Sequence, residues 1–328
     1  MADIQKVTII GCGCIGASWA ALFLAQGLNV TAFDINSSAE TVLHNTVKDA
    51  LPVLASLGLL QKPDAKPSDI HFTTQIEEAL KDADFVQENG PEKLDFKHRL
   101  FNQIAGLVRP DVVIATSSSG LTCSSIQEGM NATSHPERCV VGHPFNPPHL
   151  IPLVEVVGGR QTSAETVDKM LEFYNKIGKK PVHVKKELVG HVANRLQSAL
   201  MRECMYLMQE DVVNAGDIDK AMSYGPGLRW GLMGPNLLCH LGGGEGGIQH
   251  MADHLLGPLM TWFAPKDPVV DDKLRRKWVD GTLEEVAGRD YRDLARQRDA
   301  GLVELLNLRK ERDGSVVEKE TYPSKQHR

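Results

Sequence analysis

Lys6-Val7-Thr8-Ile9-Ile10-Gly11-Cys12-Gly13-Cys14-Ile15-Gly16 is the stretch whose reading decides the fold. Its first five residues are short, β-branched and apolar, the pattern of a parallel strand buried on both faces. The three glycines then make a turn, and residues 15–26 read as a helix with Gly27 at its C-terminal cap. Residues 29–33 read as a second strand that ends at Asp34. Strand, helix and strand in about thirty residues make a βαβ unit. In that setting G-x-G-x-x-G is a dinucleotide fingerprint. One glycine permits the tight turn, one leaves room for a pyrophosphate, and one lets helix and strand pack closely. The helix start, around Gly11, Gly13, Ile15 and Gly16, offers free N–H groups and positive potential to phosphates. Asp34 lies 18 residues beyond Gly16, near the spacing of about 20 expected of the acid that accepts from ribose hydroxyls. It repels a 2′-phosphate, and neither Arg nor Lys occurs in residues 35–38. The reading is therefore NAD rather than NADP, with FAD the rival cofactor and a glycine turn kept for packing alone the structural alternative.

Outward from this unit, residues 84–88, 112–116, 139–142, 153–157 and 182–184 read as further strands. Residues 38–60 and 94–108 have helical spacing. The alternation predicts an α/β fold, an N-terminal Rossmann-type, doubly wound and mainly parallel sheet. Strand patterns stop near residue 188, and Val189, Val192, Leu196, Leu200 and Leu207 follow at helical spacing. Asp217 is the expected cap of a short helix ending near Gly225. The division expected is an NAD-binding domain over 1–188 and a smaller all-α domain over 189–328 for substrate and dimerisation, with a polar tail after Arg312.

The composition, 42% apolar and 24% charged over 328 residues, is that of a globular enzyme. A net charge of -6 argues against a nucleic-acid partner, and the short basic clusters read as solvated faces. Six cysteines without zinc spacing read as reduced thiols, so no metal is expected. Residues 1–5 leave no room for a signal peptide, no apolar run is long enough for a membrane, and residues 324–328 match no address signal. Cytoplasm is the expected location, with a small molecule as partner.

Gly142-His143-Pro144-Phe145-Asn146-Pro147-Pro148 follows a strand of the same sheet. Ligands bind such sheets at the carboxyl ends of the strands, where a histidine is placed to take a hydroxyl proton during hydride transfer. Glu155 stands within an apolar strand and needs a partner if it points inward. Pairing with His143 would supply one. Taken singly, a loop histidine and an edge-strand glutamate are as readily structural.

As an ordered set, residues 142–147, 153–157 and Gly190-His191-Val192-Ala193-Asn194-Arg195-Leu196 resemble the L-3-hydroxyacyl-CoA dehydrogenase family, over residues 6 to about 240. The resemblance implies His143 as general base and Glu155 as its orienting partner. It implies Ser119 as a substrate-binding serine and Asn194 as the asparagine that helps polarise the substrate oxygen. It also implies cofactor contacts from Glu92, Lys97 and Asn146, and a homodimer through the C-terminal half. Residues 35–60 contain only Lys48, with Glu40 and Asp49 against it, a poor site for coenzyme A phosphates. The Arg229-Trp230 pair before Gly234-Pro235 resembles the branch of that family holding L-carnitine dehydrogenase and L-gulonate 3-dehydrogenase, the latter also a lens crystallin. Arg229 suits a free carboxylate, and Trp230, Tyr224 and Phe145 offer faces to a trimethylammonium group. A surface ion pair and a packing anchor are the structural alternatives. The expected reaction is oxidation of the 3-hydroxyl of a small 3-hydroxy acid, carnitine first. Gulonate, 3-hydroxybutyryl-CoA and a purely structural protein are the alternatives.

Overall fold

The computed structural model describes residues 4–316, in two compact units, Met1–Arg195 and Leu196–Arg328. The first unit carries one sheet of eight strands in the order β3-β2-β1-β4-β5-β6-β7-β8. These are β1 (Lys6–Ile10), β2 (Asn29–Phe33), β3 (His71–Thr73), β4 (Phe85–Glu88), β5 (Val113–Thr116), β6 (Cys139–Pro144), β7 (Leu153–Gly158) and β8 (Lys180–His183). Its helices are α1 (Cys14–Ala25), α2 (Ala39–Ser56), α3 (Ile76–Leu80), α4 (Leu94–Leu107), α5 (Cys123–Gln127) and α6 (Ala164–Lys176). β1 pairs in parallel with both β2 and β4, so the strand order reverses there and opens a crevice at their carboxyl ends.

The period of two along each strand divides the core. Val7 and Ile9 of β1, Val113 and Ala115 of β5, and Val154 and Val156 of β7 join one apolar cluster with α1, α2 and α6. Ile10, Ile114 and Val157 join the other, with α3, α4 and α5. α1 is buried almost all round, with Trp19, Phe23, Leu22 and Leu24 at most 1% exposed, because it lies between sheet and α2. Burying each such side chain is worth about 1.5–3 kcal/mol, which binds the glycine turn firmly to the sheet.

The structure departs from the sequence reading in four places. β6 and β7 pair antiparallel, joined by a connection too short for a crossover helix. β3, with three residues, was too short to show an alternation. α2 stops at Ser56, where Leu57 caps it and Gly58 takes a left-handed φ of 66°. Asn214, not Asp217, caps the helix at 215: its Oδ1 accepts from the Asp217 N–H, so Asp217 occupies the third helical position.

The helix α7 (Ala193–Gln209) leads from the first unit into the second, which contains α8 (Ala215–Tyr224), α9 (Pro226–Trp230), α10 (Pro235–Gly242), α11 (Gly247–His254), α12 (Leu256–Leu259), α13 (Asp272–Val286) and α14 (Tyr291–Val316). Among the described residues, no strand follows His183, and no helix is long and apolar enough to cross a membrane. Part of the polar tail, residues 317–328, and the first three residues lie outside the described chain. So do the end examined for an address signal and part of the stretch read as too short for a signal peptide.

Candidate active site

The glycine turn has the space a dinucleotide needs. Gly11 has φ 86°, and a Cβ there would stand 3.0 Å from the Asn89 backbone. A Cβ on Gly16 would lie 1.8 Å from the Gly11 carbonyl oxygen, so α1 reaches the strand only because that atom is missing. A Cβ on Gly13 would meet nothing within 4 Å. That emptiness lies beside the helix start, where the N–H groups of Cys14, Ile15 and Gly16 precede the first helical bond, from Ala17 N to Gly13 O. Asp34 closes the turn: Oδ2 accepts from Cys12 N at 2.9 Å and Oδ1 from Asn36 N at 3.0 Å. The residues present fit an NAD pyrophosphate and ribose.

His143 and Glu155 are direct partners in the antiparallel β6–β7 register, which puts both side chains on one face of the sheet. His143 Nδ1 donates to Glu155 Oε2 at 2.9 Å, and the two side chains are 5% and 1% exposed. The other carboxylate oxygen, Oε1, accepts from Val192 N and Ala193 N at 2.8 and 2.9 Å, at the start of α7. Burial alone would raise the pKa of Glu155. The donors from His143, Ala193 and Val192 outweigh it and hold the carboxyl below its ordinary range. An anion at a helix N-terminus is stabilised further by the helix dipole. Glu155 therefore fixes the imidazole tautomer, leaving Nε2 to face Ser119 Oγ at 3.2 Å. Ser119 is exposed, so His143 Nε2 faces a solvent-accessible hydroxyl. Asn194 is half-buried in the first turn of α7, next to the N–H groups that hold Glu155.

Three successive serines divide the work of their loop. Ser117 Oγ accepts from Gln87 Nε2 and Trp19 Nε1 and donates to Asn89, which ties the loop to the core. Ser118 Oγ donates to Glu92 Oε1 at 2.6 Å, and the same oxygen accepts from Gly120 N and Leu121 N. Burial would raise the Glu92 pKa, but those three donors and the Lys97 charge bring it below the ordinary range. Ser119 Oγ instead faces His143.

The other expected contacts fall out differently. Asn146 is exposed and its Oδ1 stands 3.8 Å from Cys14 Sγ, beside the first turn of α1. Phe145 is half-buried at the end of β6. Lys97 is 1% exposed, and its ammonium donates to both Glu88 oxygens at 2.8 and 2.6 Å and to the Gly90 carbonyl. A direct cofactor contact would require it to give up that carboxylate. Arg229 and Trp230 are exposed on α9 of the second unit, Trp230 at 43%.

Two residues were missed in the sequence. His191 packs its ring on His143, centroids 4.9 Å apart. Lys179 is buried under the β6–β7 connection, where it donates to Pro148 O and Ile151 O and lies 5.1 Å from the Trp19 ring centroid. His191 stands inside the 190–196 motif, but nothing local says which way its ring turns. Lys179 looks like one more lysine of a solvated pair.

Residues 6–188 match the family profile described as 3-hydroxyacyl-CoA dehydrogenase, NAD binding domain, and residues 190–284 match its C-terminal domain. An L-carnitine dehydrogenase of Pseudomonas sp is 42% identical over 305 residues, covering 92% of this chain and 93% of its own length. One of Streptomyces coelicolor is 43% identical over 306 residues, covering 93% and 94%. Among solved structures, an NAD+-dependent FHMPC 5-dehydrogenase superposes with a TM-score of 0.81 at 29% identity, covering 94% of this chain and 99% of its own. The glycine turn and the paired strands thus have their explanation in ancestry as well as in physics: the chain belongs to the 3-hydroxyacyl-CoA dehydrogenase family and is an NAD-dependent oxidoreductase acting on a hydroxyl group.

Proposed function

We propose that the protein oxidises the 3-hydroxyl of a small 3-hydroxy acid, L-carnitine to 3-dehydrocarnitine. The observation that carries the reading is the buried His143–Glu155 pair whose free nitrogen faces the exposed Ser119 hydroxyl. NAD held at the glycine turn by Gly11, Gly13, Gly16 and Asp34 would supply the acceptor for the hydride of the carbinol carbon. His143 Nε2 takes the hydroxyl proton, and Glu155 stabilises the imidazolium that results. Ser119 and Asn194 donate to the oxygen on which negative charge develops. Gly11, Gly13, Ile15 and Gly16 receive the pyrophosphate, Asp34 the ribose, and Asn146 the region beside α1. Glu92 and Lys97 serve the cofactor through the loops they hold. The domain over 1–188 binds NAD, and that over 189–328 serves substrate and dimer.

Carnitine is favoured over an acyl-CoA for two reasons. Relatives named for it cover nearly the whole chain at about two-fifths identity. Lys48 is the one lysine or arginine of α2, a thin counterpart to the phosphates of coenzyme A. By chemistry, the guanidinium of Arg229 suits the carboxylate, and the π-faces of Trp230 and Phe145 suit the trimethylammonium group. The protein works as a homodimer in the cytoplasm, where its six free thiols stay reduced. NADH formation is measured on L-carnitine, L-gulonate, 3-hydroxybutyrate and 3-hydroxybutyryl-CoA. Carnitine is expected to give the highest kcat/KM. Turnover confined to the thioester would overturn the substrate assignment.

A further inference from the structure

Gly190 and His191 both have left-handed backbone, φ 79° and 48°, and the short strap they form lies against the Ser118–Ser119 loop and His143. Gly190 N donates to Ser119 O at 3.1 Å, and the N–H groups of Val192 and Ala193, just beyond the strap, hold Glu155. The His191 ring, 2% exposed, lies on the His143 ring with the planes tilted by 47°. Its Nε2 stands 3.0 Å from the Ser118 carbonyl oxygen. A carbonyl accepts and never donates, so Nε2 carries the hydrogen. Nδ1 is buried and has no hydrogen-bond partner among the described residues.

This geometry makes the two imidazoles unequal. A proton added to His143 leaves its Nδ1–H on the carboxylate of Glu155. A proton added to His191 Nδ1 would create a buried N–H with no acceptor, on a buried cation, against a neighbour that must itself become a cation in each turnover. We infer that His191 is a positioning residue, a neutral imidazole packed on the base so that the two rings hold one proton between them. The inference rests on the reading of His143 as the base. The charged groups facing His191 are His143 from β6, Glu155 from β7 and Glu92 from the loop before α4. Burial is the leading influence and His143 adds to it. Together they outweigh the Ser118 carbonyl and the two carboxylates, and His191 falls below the ordinary histidine range.

The consequence is directional. Oxidation needs both rings neutral. Reduction of the keto acid needs His143 charged and His191 neutral, so the acid limb of the reductive rate belongs to His191. The test compares pH profiles of wild type, His191→Phe and His191→Gln for 3-dehydrocarnitine reduction by NADH and for L-carnitine oxidation by NAD. Below its limb the wild-type reductive rate falls about tenfold per pH unit. Both variants are expected to stay within about twofold over the same range while keeping the oxidative limb. A ring that only packs would lower the rate evenly, and an unchanged reductive limb in the variants overturns the inference. His191→Gln retains an N–H for Ser118 should the Phe variant not fold. Nitrogen-15 histidine spectra of the NAD-bound wild type need no variant. His191 is expected as the Nε2–H tautomer that stays neutral down to below the ordinary histidine range, and a His191 that becomes charged within that range overturns the proposal. His143→Gln separates the two readings. If it keeps near-normal turnover, the assignment of the base fails. If it is inactive while the reductive limb persists in the His191 variants, only the role of His191 fails.

Discussion

At the residue scale, each polar side chain near the site has a use that its burial decides. Lys97 is the clearest case. Its ammonium is sealed against Glu88, which also accepts from Thr116 Oγ1 at 2.7 Å and from Gly90 N at 2.5 Å. Breaking a buried pair by removing one partner costs about 3–5 kcal/mol, because the other charge is left uncompensated. Lys97→Met is therefore expected to lower the unfolding free energy of the NAD-free protein by that amount in urea titrations. A variant of wild-type stability with weakened NAD binding would instead make Lys97 a direct cofactor contact. The division among Ser117, Ser118 and Ser119 follows the same logic, since two are spent on holding the loop and one is left exposed.

At the element scale, the turn between β1 and α1 separates folding from binding. Gly16→Ala places a methyl 1.8 Å from a backbone oxygen, where something must shift. Gly13→Val adds atoms to open space. The expectation is a Gly16 variant that loses thermal stability and a Gly13 variant that folds normally but loses NAD affinity by isothermal titration. Equal melting temperatures for the two would contradict it. The connection from β6 to β7 is pinned on both sides. Ser18 Oγ accepts from His149 N, and Lys179 donates to two of its carbonyls. Burial pushes the Lys179 ammonium down to about 7 from 10.5. Between those values the unfolded chain binds the proton and the native protein does not, so stability rises with pH across that window. Below about 7 both states are protonated and this contribution vanishes. The melting temperature of wild type relative to Lys179→Met should climb from pH 7 to pH 10. A flat difference would mean that the carbonyls and Trp19 keep the ammonium charged.

At the scale of the whole molecule, the second unit has a thin core. Its buried apolar cluster is Cys204, Met208, Ala215, Ile218 and Leu274. Leu237, Leu241, Met260, Trp262 and Phe263 are all more than half exposed. Apolar area of that kind, at roughly 25 cal/mol per Å², is a large driving force when a second copy covers it. Light scattering is expected to give twice the chain mass of 36.0 kDa, and Leu237→Glu or Trp262→Glu to shift the population towards monomer. A wild-type monomer at micromolar concentration would refute the dimer.

The sequence by itself determined what depends on near neighbours: the strand periods, the glycine turn, Asp34 at the next strand end, and the motifs around His143, Glu155 and Asn194. Glycine at 11, 13 and 16 announces its own backbone and spatial demands, so that part of the site was legible before any coordinates. Only the tertiary structure decided the antiparallel register that sets His143 opposite Glu155, the α7 start that shares that carboxylate, and the burial of Lys97, Lys179 and His191. The reason is physical. Charge, tautomer and hydrogen-bond use are set by whatever lies across the sheet, many residues away in the chain, and no local pattern of residue types encodes it.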